Sequence, residues 1–164
     1  MKKYLSLLLA LAIAFSLAAC GGDAGKKPAE TTDPTLQYLE EFHEKVSESQ
    51  ELLDTVADDI YSNWYDAIYK DKFNENINSA ILAAQIDNAE NLEKIETLDG
   101  EIAELFKKVK DSDQGKLVKD VMSAYSDYYE FVVNVSGSFK SYSADKETLK
   151  KELASLLRDL SYEI

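Results

Sequence analysis

The chain has 164 residues, of which 31 are acidic and 18 basic, so its formal net charge at pH 7 is −13. This excess of carboxylates disfavours nucleic acid and anionic lipid surfaces as partners, because both would repel the protein. A single cysteine excludes an internal disulfide, and a single histidine leaves too few ligands for the histidine-containing di-metal sites of helical bundles.

Residues 1 to 19 have the layout of a signal peptide. Lys2 and Lys3 precede an uncharged apolar run from Leu5 to Ala19. The run is shorter than the ~20 residues that a membrane span requires, and it ends in small residues rather than in a basic stop-transfer cluster. We therefore expect this segment to be cleaved off and not to remain in the membrane.

The apolar run leads into Leu17, Ala18, Ala19 and Cys20. These residues resemble the lipobox of bacterial lipoproteins, in which a branched apolar residue and two small residues precede an obligatory cysteine. The resemblance implies that the Cys20 thiol receives a diacylglyceryl group and becomes the first residue of the mature protein. Its acyl chains would then hold the protein at the outer face of the bacterial cell membrane. The alternative is a secreted protein that is cut after Ala18 and keeps Cys20 as a free thiol.

Residues 20 to 33 are predicted to form a flexible tether. They are rich in Gly, Ala, Thr, Pro and charged residues, and they show no apolar periodicity. A chain of this length has a root-mean-square reach of roughly 20 Å, which is enough to hold a folded domain clear of lipid headgroups. We assign the folded domain to residues 34 to 164.

The folded domain is predicted to be all-α, as an elongated antiparallel bundle of three to four long helices. Glycine and proline are scarce after residue 33, which favours long helices over sheets. The first helix is predicted from about residue 34 to 70, because Pro34 suits a first helical turn. An apolar heptad seam runs through it, formed by Leu39, Val46, Leu53, Ile60 and Ala67 with Phe42 and Val56.

The remaining helices follow from three further apolar seams. One continuous helix is predicted from about 74 to 110, with Gly100 on its outer face, after a tight connection at 70 to 74. A third helix begins after the turn "KDSDQGK", and "SGSFKSYS" ends or kinks it. The last segment is predicted from about Ala144. It either folds back or continues the third helix.

The sequence "IYSNWYDAIYK", residues 60 to 70, carries a second aromatic stripe. Tyr61, Tyr65 and Tyr69 recur every four residues on a face that differs from the heptad seam, and Trp64 lies between the two faces. The stripe either contacts two neighbouring helices at once or forms an exposed surface that binds a partner. We take these four residues as the candidate binding surface, and we expect Trp64 to be buried and Tyr65 to be at least partly covered.

Few residues suit metal binding or catalysis. Glu40 and His43 have Glu-x-x-His spacing, but di-metal bundles use that pair twice. The segment "DSDQGK" matches a calcium loop poorly, because its glycine comes one position early and Met122 stands where a bidentate glutamate is needed. Phosphate loops and nucleophile motifs are also missing from the sequence. We therefore expect no catalytic residue, no metal and no cofactor.

The sequences "WYDAIY" and "SGSF" resemble patterns in uncharacterised helical lipoproteins of Gram-positive bacteria, which implies a helical fold in the cell envelope and no particular activity. The predicted function is a non-enzymatic, lipid-anchored module that binds a protein or peptide. The alternative is a protein that binds a small ligand or cation around Trp64 and Asp66, and an envelope hydrolase is less favoured. A filled core beside Trp64 favours the protein partner, whereas a cavity of a few hundred Å³ favours the ligand.

Overall fold

The computed structural model describes residues 34 to 164. The predicted signal peptide, Cys20 and the tether lie outside the described residues. Within residues 34 to 164 the chain forms helices and no strand, so the all-α class is confirmed. None of these described helices combines the length and the apolar character needed to span a membrane.

The described residues contain five α-helices and one short 3-10 helix at Lys72–Glu75, which follows the first of them. The α-helices are α1 (Pro34–Tyr69), α2 (Ile77–Asp87), α3 (Ala89–Val109), α4 (Gly115–Val133) and α5 (Phe139–Ser161).

Helix α1 is the longest, and its heptad seam forms the centre of the core. Its 36 residues extend about 54 Å at 1.5 Å per residue. The predicted seam residues are buried without exception: Leu39, Phe42, Val46, Leu53, Val56, Ile60 and Ala67. The sequence therefore predicts both the extent and the inward face of this helix correctly.

Helices α2 and α3 run antiparallel to α1. Near the end of α1 the Asn63 side chain donates a hydrogen bond to the carbonyl oxygen of Ala80, with 3.3 Å between the two atoms. Near its beginning the Lys45 ammonium lies 2.8 Å from the Glu101 carboxylate. Residues in the first half of α1 thus contact residues in the second half of α3, as the antiparallel prediction requires.

The prediction of one continuous helix from 74 to 110 is wrong, because the helix is interrupted at Asn88, between α2 and α3. The buried Asn88 amide donates to the Asp59 carboxylate at 2.8 Å and to the Ala84 carbonyl at 3.0 Å, and its oxygen accepts from Asn91. An asparagine side chain that bonds to its own helix competes with the helical ladder. The interruption therefore gives the buried Asn88 amide hydrogen bonds that apolar seam residues could not supply.

Helix α5 begins at Phe139, five residues before the predicted start near Ala144. The Ser138 hydroxyl accepts from the Ser141 backbone N–H, and the Ser141 hydroxyl accepts from the Ser138 N–H, so the two residues form a capping box. Gly137 precedes them with a φ of 86°, a conformation that glycine adopts without strain. The break that the sequence predicts is therefore short.

The last helix folds back on the third, which answers the question left open by the sequence. At one end, the Gln114 side chain donates to the Glu163 carbonyl at 3.3 Å. At the other end the Phe131 and Tyr142 rings stack 4.6 Å apart. Helix α5 thus runs antiparallel to α4, and it packs against α1 as well.

Candidate functional site

Six aromatic rings meet where the end of α1 contacts the start of α5. Phe139 lies between 5.1 and 6.2 Å from the ring centres of Tyr61, Trp64, Tyr65 and Tyr69. Rings at these separations attract one another in stacked or edge-to-face arrangements. We call the aromatic cluster the set of Tyr61, Trp64, Tyr65, Tyr69, Phe139 and Tyr142.

The aromatic cluster is partly core and partly surface. Trp64 is 4% exposed and Tyr61 is half-buried, whereas Tyr65 is 38% and Tyr69 is 61% exposed. The neighbouring Ile68 is also exposed. Each interpretation of the stripe therefore applies to part of it. The inner rings pack inside the protein, and the outer rings face solvent.

Trp64 borders an open hollow of about 550 Å³, which Gly137 and residues 74 to 78 also line. Its indole Nε1 is buried and has no hydrogen-bond partner within residues 34 to 164. The hollow is open to solvent and is not an enclosed cavity, so its volume alone does not decide between a protein partner and a small ligand. It lies against the connection after α1, where Asp71 and residues 73 to 75 have left-handed backbone angles. A buried N–H without a partner is uncommon in folded proteins.

Asp66 is held by two lysines beside the aromatic cluster. Its carboxylate lies 2.8 Å from the Lys70 ammonium and 2.5 Å from the Lys72 ammonium. These hydrogen bonds lower the pKa of the Asp66 carboxyl below its usual value. Because both of its oxygens are paired, Asp66 is not a free ligand for a cation.

Lys146 supports the cluster from α5 and was missed by the sequence analysis. It is buried, pairs with the Asp58 carboxylate and places its ammonium 4.9 Å from the centre of the Tyr61 ring. A cation over an aromatic face is attracted to the ring. The only signal in the sequence was the position of Lys146 one turn after Tyr142 on the same helix face.

His43 has a structural contact. Its Nε2 lies 3.1 Å from the Leu157 carbonyl oxygen, so the N–H at this nitrogen donates to α5. Its predicted neighbour Glu40 is exposed. In the part of the chain that the structure describes, no three His, Cys, Asp or Glu side chains are grouped as metal ligands.

No protein family, curated protein or solved structure matches the chain. Function is therefore inferred from its own residues. Exposed tyrosines on a rigid, well-packed base are typical of surfaces that recognise other proteins, where they combine a large contact area with few rotatable bonds.

Proposed function

We propose that the protein is a lipid-anchored lipoprotein at the outer face of the bacterial cell membrane, and that its helical domain binds another protein or a peptide without catalysing a reaction. The lipobox at residues 17 to 20 supports the anchor. The exposed half of the aromatic cluster supports the binding activity.

The observation that carries the binding proposal is the exposure of Tyr65, Ile68 and Tyr69 on one end of α1. Phe139 contacts Tyr65 and Tyr69 from α5, so both rings are supported before any partner arrives. A pre-ordered aromatic surface loses little side-chain entropy on binding. This arrangement favours recognition of an apolar segment of a partner.

The position of the aromatic cluster also suits an anchored protein. The members of the cluster on α1 lie toward its C-terminal end, about 40 to 52 Å of helix away from Pro34. The proposed tether joins the domain at Pro34. A partner can therefore reach the cluster without contacting the end of the domain to which the tether is joined.

The anchor is tested by Cys20→Ala. We expect this variant to lose incorporation of labelled fatty acid and to stay unprocessed, whereas Thr31→Ala in the tether keeps both. Fatty-acid labelling in growing cells and sequencing of the mature N-terminus make the measurement. Unlabelled wild-type protein in the medium, with an N-terminus other than residue 20, would refute the anchor.

The binding surface is tested by photocrosslinking in intact cells. A photoreactive amino acid at position 69 should give a discrete crosslinked product, and one at position 162, which is 78% exposed in the wild type, serves as the control. Tyr65→Ser should abolish the product, and the melting temperature should fall by a few degrees because the ring also packs against Tyr69 and Phe139, while the variant still unfolds cooperatively. Identical crosslinking patterns at positions 69 and 162 would count against the proposal.

A second candidate function is the binding of a small polar ligand in the hollow beside Trp64. The volume of the hollow favours it, and a shift of the Trp64 ring on binding would bring the buried indole Nε1, which has no partner, to a ligand oxygen. A panel of sugars and amino acids at millimolar concentration should then raise the melting temperature of the wild type but not of Asn78→Ala. No rise with any member of the panel would reject this function for both ligand classes.

A further inference from the structure

Three of the four large aliphatic side chains of helix α2 are exposed to solvent, and the fourth, Ile81, packs against the core. Leu82 is 56%, Ile86 is 64% and Ile77 is 37% exposed. The residues that α2 buries are two alanines, Ala80 and Ala84. This is the reverse of an ordinary surface helix, which turns its large apolar side chains toward the core. Leu82 and Ile86 stand four residues apart on one side of α2, whereas Ile77 lies nearly opposite them and Ile81 packs against the core. We call the outer apolar face the pair Leu82 and Ile86.

The outer apolar face belongs to a well-fixed helix. The Asn76 side chain caps the start of α2 by accepting from the Ser79 N–H at 3.1 Å. The Asn63 side chain donates to the Ala80 carbonyl, and Asn88 holds the other end through Asp59. Leu82 and Ile86 are therefore presented to solvent by a helix that is anchored along its length.

Exposed carboxylates precede and follow the outer apolar face in the sequence, and no cation lies between them. Residues 73 to 93 contain no lysine or arginine, and Glu75, Asp87 and Glu90 are exposed. The cations that flank this segment in the sequence are engaged elsewhere, because Lys72 pairs with Asp66 and Lys94 lies 3.7 Å from Glu48. The segment from 73 to 93 thus exposes the two apolar side chains of this face on α2 and acidic side chains on either side of them in the sequence.

We propose that the outer apolar face binds a cationic amphipathic segment of another protein. Apolar side chains of that segment would cover Leu82 and Ile86, and its lysines or arginines would face Glu75, Asp87 and Glu90. A second copy of this chain fits poorly, since it would bring like carboxylates together around the contact.

Leu82 and Ile86 are separate from the aromatic cluster, although Glu75 also lines the hollow beside Trp64. Helix α2 lies on the side of α1 that carries Asn63, whereas the aromatic cluster faces α5 through Tyr61 and Tyr65. The proposal therefore goes beyond the proposed function, and either surface can fail its test without affecting the other.

The test uses the full chain in a mild nonionic detergent and two synthetic helices. One helix alternates leucine and lysine at helical spacing, and the other has glutamine at every lysine position. Calorimetric titration should detect binding of the leucine–lysine helix and much weaker binding of the leucine–glutamine helix. Binding should also weaken as salt is added, because ion pairs at the rim are screened.

Paired substitutions separate the apolar contribution from the charge. Leu82→Gln with Ile86→Gln should weaken binding by about tenfold or more, the equivalent of roughly 1.4 kcal/mol. Asp87→Asn with Glu90→Gln should weaken it by about threefold and reduce its salt dependence. Glu40→Gln with Glu152→Gln removes the same charge elsewhere, and Tyr162→Gln removes another exposed apolar side chain, so both controls should bind as the wild type does.

Three results would overturn the proposal. Equal binding by Leu82→Gln with Ile86→Gln and by the wild type would show that only the net charge attracts the helix. Equal binding of the two synthetic helices would remove the role of the cations. A concentration-dependent dimer in sedimentation that Leu82→Gln with Ile86→Gln abolishes would assign the face to a second copy of the chain.

Discussion

Asp66 fastens the connection after α1 to the helix that precedes it. Lys70 stands one turn further along, next to the end of α1, and Lys72 lies in the 3-10 helix that follows. Both ammonium groups bond to the same carboxylate, which holds Lys72 against the last turn of α1. One acidic residue therefore fixes the path by which the chain leaves α1.

The first prediction concerns the pH dependence of Asp66→Asn. Because the pKa of Asp66 is lowered in the folded state, its contribution to stability is present above the unfolded-state pKa of about 3.9 and is lost as the pH falls through the folded-state pKa. The variant should melt a few degrees below the wild type at neutral pH, and the gap should close in strong acid. Thermal melts across this range test it, with Asp87→Asn as the control. A gap that widens on acidification would contradict the assignment.

Tyr128 carries a buried hydroxyl that donates to the Asp54 carboxylate at 2.6 Å. Burial and this neighbouring carboxylate raise the pKa of Tyr128, so the phenol stays neutral. Lys150 also pairs with Asp54, at 2.9 Å, so the carboxylate keeps a partner when the phenol is removed.

We expect Tyr128→Phe to lower the free energy of unfolding by about 1–2 kcal/mol at neutral pH, because one charge-assisted hydrogen bond is lost. The raised pKa means that this contribution is present below the unfolded-state pKa of about 10 and fades as the pH rises further. Urea denaturation at neutral and alkaline pH measures both effects. Tyr162→Phe at the exposed C-terminal end should have no effect, and an equal loss there would show that the assay does not report on the buried bond.

At the scale of single elements, two glycines give opposite predictions. Gly100 is exposed within α3, and a Cβ there would meet no atom within 4 Å. Gly100→Ala should therefore raise the free energy of unfolding by about 0.5–1 kcal/mol through better helix propensity.

Gly137 has a φ of 86°, and a Cβ there would lie 2.9 Å from the Ser141 hydroxyl, so Gly137→Ala should destabilise the folded domain. Urea denaturation of the two variants checks both signs, and stabilisation by Gly137→Ala would refute the described turn.

The helices were predictable where one simple signal decided them. The heptad seam of α1 predicted its face and length, because the residues at seven-residue intervals from Leu39 to Ala67 are all apolar. The break at Asn88 was not predicted, since the spacing alone treats a buried asparagine as one more seam residue. The early start of α5 was missed because "SGSF" has breaker composition, although Ser138 and Ser141 already form a capping pair.

The candidate site was predictable only in part. The four-residue repeat identified Tyr61, Tyr65 and Tyr69, and the position of Trp64 between two faces indicated burial. The contribution of Phe139 and Lys146 depends on α5 folding back against α1, a long-range contact that periodicity cannot predict. The exposed fraction of Tyr65 depends on the same contact between α5 and α1.

At the scale of the whole molecule, α1 contacts every other helix of residues 34 to 164. No pair of helices can therefore separate from it without uncovering the shared core. We predict that this domain unfolds in a single transition in which the calorimetric and van't Hoff enthalpies agree. Two resolved transitions in differential scanning calorimetry, or a van't Hoff enthalpy well below the calorimetric one, would show that α4 and α5 unfold separately.

Trp64 is the only tryptophan in the chain. Its ring extends from α1 and packs against Phe139 and Tyr142 in the first turn of α5. Fluorescence excited at the long-wavelength edge, where tyrosine does not absorb, therefore originates from this one residue, at the contact between α1 and α5. Release of α5 would bring water to the indole and shift its emission to longer wavelength. The protein thus carries a built-in optical probe, with which loosening of this contact can be followed without an added label.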